Sequence, residues 1–287
     1  MTFSIAARVG DAYGVAVASK FIAVGSVVPA VRLGVGAIAT QAMAKVSYGA
    51  DGLALLAAGS SPPETVARLT AADEGRDNRQ LGVVGASDQS TFTGPACMDW
   101  AGGVSGGDAD SGYAIQGNIL VGEHVVARME QAWLEDPSLP LVPRLMRALV
   151  AGDRAGGDKR GRQSAALYAV APGAGYDHSG VIADLRIDDH PDATQELVAL
   201  VDLHDLYFGS PGTVLPLVGS LADEVRLHLT SLGRSQPDLG AALADWAGEA
   251  NFEMRLTPEG IDSRVLEELR KAAGPARNEP TPHEPTE

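Results

Sequence analysis

A threonine follows the initiator methionine, at the start of the run Thr2-Phe3-Ser4-Ile5-Ala6-Ala7-Arg8-Val9. Thr2 is small enough that ordinary removal of Met1 would leave it as the N-terminal residue. A free N-terminal threonine can act as a nucleophile by itself, because its α-amine, with an ordinary pKa of about 7.7–8.0, can accept the proton of its own hydroxyl. The alternative is that Thr2 only begins a strand. The first interpretation predicts a nucleophile that needs no distant histidine.

Two other places in the chain carry polar residues that could bind a reacting group. Asn118 is expected at a strand end, where its amide can bind an oxyanion or a substrate, and a turn-forming asparagine is the alternative. Asp158, Gln163 and Ser164 belong to a polar loop that leads into an apolar strand. A solvated loop is the alternative there. We therefore treat these four residues as candidates for oxyanion or substrate binding.

Other common catalytic patterns are incomplete in this sequence. Segment 152–159 departs from the phosphate-loop order G-x-x-x-x-G-K-[ST], because Asp158 precedes the lysine. His190 and His204 have acidic neighbours, but neither belongs to an H-E-x-x-H or Cys/His ligand set. Cys97 is the only cysteine, and a small buried residue is its ordinary role. We therefore expect no metal ion and no cofactor.

The composition is typical of a soluble globular chain and argues against several classes of function. Of the 287 residues, 45% are hydrophobic, which is enough material for a substantial core. A formal net charge of −15 without a basic cluster argues against a nucleic-acid partner. The single cysteine predicts a reduced, cytoplasmic setting. Because the sequence shows no signal-peptide pattern and no apolar run of about eighteen residues, we expect neither export nor a membrane span.

Strand-like and helix-like blocks must position the candidate residues. Gly10-Asp11-Ala12 predicts a hairpin turn between the first two strands. Ser61, Pro62 and Glu64 form the start signal of a helix, with a capping box. The predicted strands are Thr2–Val9, Tyr13–Ser19, Val35–Ala42, Gln80–Val84, Ser90–Thr93, Tyr113–Gly117, Ser164–Val170 and Val181–Ile187. The predicted helices in this part are Tyr48–Ala58, Pro62–Ala72, Val125–Leu134, Leu141–Ala151 and Ala193 to about Tyr207. Loops are predicted before Val35, around Pro29 and Gly34, and over Gly102–Gly112.

The order of these blocks predicts how the layers are stacked. Strands and helices come in groups of two or three, whereas a doubly wound parallel sheet would need single β-α-β alternation. Grouped strands favour antiparallel sheets, and grouped helices favour helical pairs that cover them. We therefore predict an α+β fold, in which two sheets face each other between two helical layers as a four-layer αββα sandwich.

Several sequence blocks, in order, resemble the DUF1028 family. They are Thr2-Phe3-Ser4-Ile5, Gly14-Val15-Ala16-Val17-Ala18-Ser19-Lys20, Val35-Gly36-Ala37-Ile38-Ala39-Thr40-Gln41-Ala42, Arg79-Gln80-Leu81-Gly82-Val83-Val84, Gln116-Gly117-Asn118, Gly156 to Ala166 and Asp188-Asp189-His190-Pro191. The resemblance covers about residues 2–208. It implies membership of the N-terminal-nucleophile (Ntn) hydrolase superfamily, which includes proteasome subunits and several amidases. The αββα sandwich is the Ntn hydrolase fold, so the resemblance implies that fold and this mechanism class.

Only part of the superfamily's catalytic residue pattern has a counterpart in this sequence. In proteasome-like enzymes the strand after the first hairpin ends at an acidic residue, but Lys20 stands at that place here. A lysine that lowers the pKa of the nucleophile is expected one strand later, where Arg32 is the nearest cation. The resemblance therefore implies Lys20 or Arg32 as the positive group, with Lys20 favoured because the hairpin pairs its strand with that of Thr2. It also implies an oxyanion donor at Thr40-Gln41-Ala42.

The sequence changes character after residue 208. Residues 209–272 predict three short helices. The first begins at Ser220 as its cap, and the other two are Leu239–Ala247 and Ser263–Lys271. This segment resembles a module named for peptidoglycan binding that follows DUF1028 in many relatives, and the resemblance implies cell-wall fragments as ligands. Residues 273–287, rich in Pro and Glu, predict a disordered tail.

Three hypotheses of function follow. The first is an Ntn amidohydrolase or peptidase that cleaves a small amide or peptide bond, with Thr2 as nucleophile. The second is a non-catalytic protein on a degenerate Ntn scaffold that binds peptidoglycan or another ligand. The third is an assembly subunit, because homo-oligomers are common in the superfamily. Only the first hypothesis requires the amine of Thr2 to be free.

Overall fold

The structure of the chain, a computed structural model, describes residues 2–274. None of the helices in this range is both long and apolar enough to cross a bilayer. The strands are β1 Thr2–Val9, β2 Ala12–Ser19, β3 Pro29–Arg32, β4 Gly36–Ala42, β5 Arg79–Val84, β6 Gln89–Thr93, β7 Trp100–Gly107, β8 Ser111–Leu120, β9 Ser164–Val170, β10 Val181–Ile187, β11 Val214–Leu215 and β12 Ile261–Asp262. The helices are α1 Ser47–Ala57, α2 Pro62–Ala71, α3 His124–Leu134, α4 Leu141–Arg154, α5 Ala193–Phe208, α6 Gly219–Ser231, α7 Leu239–Glu249 and α8 Ser263–Ala273.

The described chain divides into two compact units, residues 2–201 and 202–274. The division falls inside helix α5, whereas the sequence placed the boundary after residue 208. The physical reason is that Leu206, near the end of α5, is buried in the hydrophobic core of the second unit.

Two antiparallel sheets form the centre of the first unit. The six-stranded sheet has the order β10-β9-β2-β1-β8-β7, and the four-stranded sheet has the order β3-β4-β5-β6. Strand β1 lies between β2 and β8, with Phe3 opposite Ala18 and Thr2 opposite Asn118. The predicted hairpin between β1 and β2 is confirmed, with Gly10 in the left-handed conformation at φ 56° that the tight turn requires.

Alternation along β1 separates the two faces of the six-stranded sheet. Phe3, Ile5 and Ala7 join a core formed with α3 and α4. Ala6 points the other way, into a core shared with strands of the four-stranded sheet. Helices α1 and α2 pack on the far side of that second sheet. The predicted α+β fold with four αββα layers is confirmed.

Local sequence signals explain several of the helices. The capping box of α2 is confirmed. The Ser61 hydroxyl accepts from the Glu64 backbone N–H, and the Glu64 carboxylate accepts from the Ser61 backbone N–H. Helix α4 places Leu141, Leu145 and Leu149 on one face, and all three are buried. Such spacing aligns apolar side chains along one stripe, which packs on the sheet.

Three predictions about loops and helix starts were wrong. Residues Pro29–Arg32, predicted as loop, form strand β3 on β4. The glycine-rich stretch predicted as a loop over 102–112 contains most of strand β7, which pairs with β8. Glycines carry no side chain, so the alternation that marks a strand is not visible in the sequence. Here they allow β7 to lie close to its neighbours, because a Cβ at Gly103 would lie 2.7 Å from the Ile115 carbonyl oxygen. Helix α6 begins at Gly219 with Val218 at the cap position, so Ser220 lies inside it.

The second unit packs helices α6, α7 and α8 with the end of α5 around its own core. The core side chains are Leu206, Val225, Leu229, Ala242, Leu243, Trp246, Ala247, Phe252, Ile261, Val265, Leu266 and Leu269. The three predicted helices are present, and the short β11–β12 pair was not predicted. Of the predicted disordered tail, Ala273 is the last residue of α8, and residues 275–287 lie outside the described range.

Candidate functional site

Thr2 lies where several strand ends of the first unit meet. Its partner across β1 and β8 is Asn118, and Ser19 ends the neighbouring strand β2. The Thr2 side chain is 6% exposed. Its Oγ1 atom lies 3.1 Å from the Ser19 Oγ atom, within hydrogen-bond distance. Because Phe3 points toward the helices, Thr2 and Ser4 point toward the facing sheet.

The backbone of Thr2 is held from two strands. Gln41, near the end of β4, donates from Nε2 to the Thr2 carbonyl oxygen at 3.1 Å. Asn118 donates to the same oxygen from Nδ2 at 3.4 Å. A carbonyl that accepts two buried amide N–H groups has little freedom to rotate, so the start of β1 is positioned by both sheets.

Buried amide side chains continue this network between the sheets. Gln80 Oε1 accepts from Gln41 at 2.7 Å and from Asn118 at 2.9 Å. Ser4 donates to Gln41 at 2.7 Å and accepts from Gln116 at 2.7 Å. These five side chains are each at most 2% exposed. Since a buried polar group without a partner is costly, this mutual satisfaction makes the network a rigid support behind Thr2.

A cavity of about 350 Å³ opens in front of Thr2. Its wall is mainly apolar, with three polar residues. The lining residues are Thr2, Phe21, Val24, Val27, Val28, Gln41, Ala42, Met43, Ala44 and Arg79. We call this cavity the Thr2 pocket. Its size and its few polar groups are typical of a small-molecule site.

The end of β4 forms the predicted oxyanion region. Gln41 and Ala42 line the Thr2 pocket, and Ala42 has a left-handed φ of 69°, which is uncommon for a residue with a side chain. Thr40 does not fit the predicted role, because its N–H donates to the Val28 carbonyl and its hydroxyl to the Lys45 carbonyl. The Met43 N–H is also engaged, by the Asn78 carbonyl. The turn at the strand end, rather than Thr40, faces the pocket.

Arg79 is the cation that lines the Thr2 pocket. Its Nε donates to Asp73 at 3.0 Å, and its guanidinium also donates to the Met43 carbonyl. Tyr48 donates to the same carboxylate at 2.8 Å, and the Lys45 ammonium lies 3.7 Å from it. The Arg79 hydrogen bond, with the Tyr48 bond in addition, holds the pKa of the Asp73 carboxyl well below its ordinary range. Burial and the nearby carboxylate raise the pKa of the Tyr48 phenol.

Neither Lys20 nor Arg32 is among the residues that line the Thr2 pocket. Lys20 is exposed, and its ammonium donates to the Arg162 carbonyl at 3.2 Å. Arg32 is exposed and pairs with Gly36 at the start of β4, whereas Gln41 lies near the other end of that strand. Five residues of strand separate those two positions by about 17 Å. Arg79 is the cation in the lining of the Thr2 pocket, and the catalytic roles of Lys20 and Arg32 stay predictions.

Asp158 and Ser164 hold the loop that follows β2, and Gln163 binds the segment between β10 and α5. Asp158 accepts from the Lys20 backbone N–H at 2.7 Å, and Gln163 donates to Asp189 at 3.1 Å. Ser164 donates to the Phe21 carbonyl and accepts from the Val24 N–H at 3.1 Å. Asp158 and Ser164 line a separate cavity of about 130 Å³. They act on the Thr2 pocket indirectly, because the backbone they hold carries Phe21 and Val24.

The remaining candidates do not add a reactive group at Thr2. Within residues 2–274, no cluster of three or more His, Cys, Asp or Glu side chains could hold a metal ion. Cys97 is half-buried, and burial raises the pKa of its thiol, which disfavours the reactive thiolate.

The sequence interpretation missed Ser19, Gln80, Gln116 and Arg79. All four lie in the sequence blocks that carry the family resemblance. A glutamine at an inward position of a strand is an available signal, because a buried amide needs a partner on the facing sheet. Such a signal does not identify the partner.

These observations define an antiparallel αββα sandwich of the α+β class, with a threonine at the start of a central strand. The chain matches DUF1028, a family of unknown function, over residues 2–197, and it belongs to that family. The crystal structure of a DUF1028 protein from Silicibacter pomeroyi is similar, with 30% sequence identity and a TM-score of 0.62. The similarity covers 78% of this chain and 92% of that chain. No curated protein matches the chain.

Proposed function

We propose that the protein is an Ntn-type amidohydrolase or peptidase that cleaves a small amide or peptide bond with Thr2 as nucleophile. One observation carries the proposal. Thr2 is the first residue of the central strand β1. It is nearly buried, and it lines a pocket of small-molecule size. The buried amides of Gln41 and Asn118 that hold its carbonyl supply the rigid placement that a nucleophile requires.

The reaction requires removal of Met1, because the α-amine of Thr2 can act as a base only when it is not part of a peptide bond. The freed α-amine of Thr2 accepts the hydroxyl proton while Oγ1 attacks the amide carbonyl carbon. The C–N bond breaks when the leaving nitrogen takes that proton, and an ester on Thr2 remains. A water molecule, activated by the same amine, then attacks the ester and releases the acid. Thr2 regains its hydroxyl proton.

Two neighbouring features support these steps. The Ser19 hydroxyl, 3.1 Å from Thr2 Oγ1, can orient the attacking oxygen and take part in its proton transfer. The turn 42–44 lines the pocket, and because the Met43 N–H is engaged by Asn78, the N–H groups of Ala42 and Ala44 are the candidates to stabilise the tetrahedral oxyanion. Arg79 supplies positive charge at the wall of the pocket.

A second candidate function is ligand binding without turnover. The positions of Lys20 and Arg32 favour it, because neither predicted cation lines the Thr2 pocket. On this alternative the Thr2 pocket binds a ligand, and removal of Met1 is not required. Cell-wall fragments as ligands and assembly into a homo-oligomer stay predictions from the sequence.

Mass spectrometry of the purified protein distinguishes the two functions. We expect an intact mass without Met1, and a β-lactone probe should add its mass to the peptide that begins with Thr2. Thr2→Ala should abolish labelling with unchanged circular dichroism, and Thr2→Ser should retain part of it, since both amine and hydroxyl remain. Retained Met1, or equal labelling of Thr2→Ala, would overturn the proposal.

A further inference from the structure

The interior of the Thr2 pocket is apolar next to the nucleophile. Val24 and Val28 are at most 3% exposed, and both belong to the core between the two sheets, so they form a fixed wall. Val27 is half-buried beside them. A ligand group that packs on Val27 in this wall replaces water on branched aliphatic surface, which favours an apolar group.

The mouth of the same pocket is also apolar. Phe21 is 48% exposed and Met43 is 64% exposed, although both are large hydrophobic residues that line the pocket. Exposed apolar side chains that continue an apolar cavity are typical of a ligand-binding surface. The apolar lining therefore extends from the valines to the solvent.

Arg79 is the charged residue in the lining of the Thr2 pocket, and it is paired with Asp73, which is not a lining residue. Lys45 and Arg79 share the single carboxylate of Asp73, so these three side chains leave one positive charge in excess. This excess stands in a chain whose formal net charge is −15. A cationic ligand group at the wall would be repelled, and it would also lose hydration against the valines.

We propose that the substrate of the Thr2 site is an amide whose acyl part carries a branched or aromatic apolar group, and that the site excludes a cationic group at this position. The proposal rests on the proposed function, because it assigns the acyl group that stays on Thr2 in the ester intermediate. Phe21, Val27 and Val28 contact that group, and Arg79 excludes the cation.

Three β-lactone probes that differ only in their side chain test this specificity on the full chain. We expect the isobutyl probe to label Thr2 at least tenfold faster than the aminobutyl probe, with the unsubstituted probe between them, by intact-mass kinetics. Phe21→Ala should reduce the ratio of isobutyl to unsubstituted labelling severalfold. The matched control is Ile22→Ala, because Ile22 is 58% exposed next in the chain but does not line the pocket. Its ratio should equal that of the wild type.

A gain of specificity provides the second readout. Val27→Glu places a carboxylate at the half-buried wall and should raise the ratio of aminobutyl to isobutyl labelling at least tenfold. Circular dichroism verifies that this variant is folded. Equal rates for the three probes in the wild type would overturn the specificity and leave the nucleophile in place. Failure of every probe would overturn the nucleophile, and the specificity with it.

Discussion

Gln41 donates its side-chain N–H from the four-stranded sheet to the carbonyl oxygen of Thr2 in the six-stranded sheet, at 3.1 Å. The position of the proposed nucleophile therefore depends on how the two sheets pack. Any change that shifts one sheet against the other moves Thr2 relative to the turn at 42–44.

Ser19→Ala should slow probe labelling of Thr2 while the fold is retained. The substitution removes the hydroxyl 3.1 Å from Thr2 Oγ1 and leaves the strand backbone unchanged. One lost hydrogen bond of about 1–1.5 kcal/mol corresponds to a rate roughly tenfold lower. Ser87→Ala, at an exposed turn position, is the matched control. Wild-type labelling kinetics in Ser19→Ala would show that this contact has no part in the reaction.

Gln80→Leu should destabilise the first unit and also slow labelling of Thr2. The leucine removes the acceptor for Gln41 and Asn118, the two side chains that hold the Thr2 carbonyl. With buried amide donors left short of partners, we expect a loss of about 2–4 kcal/mol in the free energy of unfolding. Urea denaturation measures it. Gln195→Leu, on the exposed face of α5, should change stability by less than about 0.5 kcal/mol. Equal losses in the two variants would contradict a supporting role for the network.

Acid should weaken the fold partly through Asp73. Its folded-state pKa is lowered from the ordinary 3.8 by hydrogen bonds from Arg79 and Tyr48, so its contribution is complete above pH 3.8 and decreases as the pH falls toward the folded-state value. Asp73→Asn should therefore lose less stability than the wild type between pH 7 and pH 3, measured by urea denaturation. The control is Asp77→Asn, an exposed carboxylate with a 4.0 Å contact to Arg76, which should follow the wild-type profile. Identical profiles for the wild type and Asp73→Asn would exclude this linkage.

Arg255→Met should destabilise the second unit. The guanidinium is buried and donates to Asp262, itself 1% exposed, and to the carbonyl of Leu206. Breaking a buried ion pair costs about 3–5 kcal/mol, because one charge is left without its partner. Hydrogen exchange of the α6–α8 amides reports the change. Arg264→Met is the control, since that side chain is more exposed and should contribute at most about 1 kcal/mol. Protection that is equal in both variants would argue against the buried pair.

Much of the fold was predictable because its signals are local. The strands Ser164–Val170 and Val181–Ile187 have the predicted bounds, although only the first is largely buried, because Asp184 and Arg186 interrupt the apolar residues of the second. The hairpin at Gly10 and the cap at Ser61 follow from residues next to each other in the chain. Strand β7 was missed, because its glycines carry no alternation and only pairing with β8 makes it a strand.

The sequence by itself determined that Thr2 begins a strand and that a hydroxyl stands where a nucleophile is possible, because strand propensity and side-chain chemistry belong to single residues. It also determined the grouping of strands and helices into four layers. Tertiary structure decided which side chains surround Thr2. Ser19 and Gln41 contact Thr2 through strand pairing and sheet packing, and Arg79 lines the same pocket, whereas Lys20 donates to Arg162. Spacing along the chain cannot give such contacts, since they depend on register and on the facing sheet.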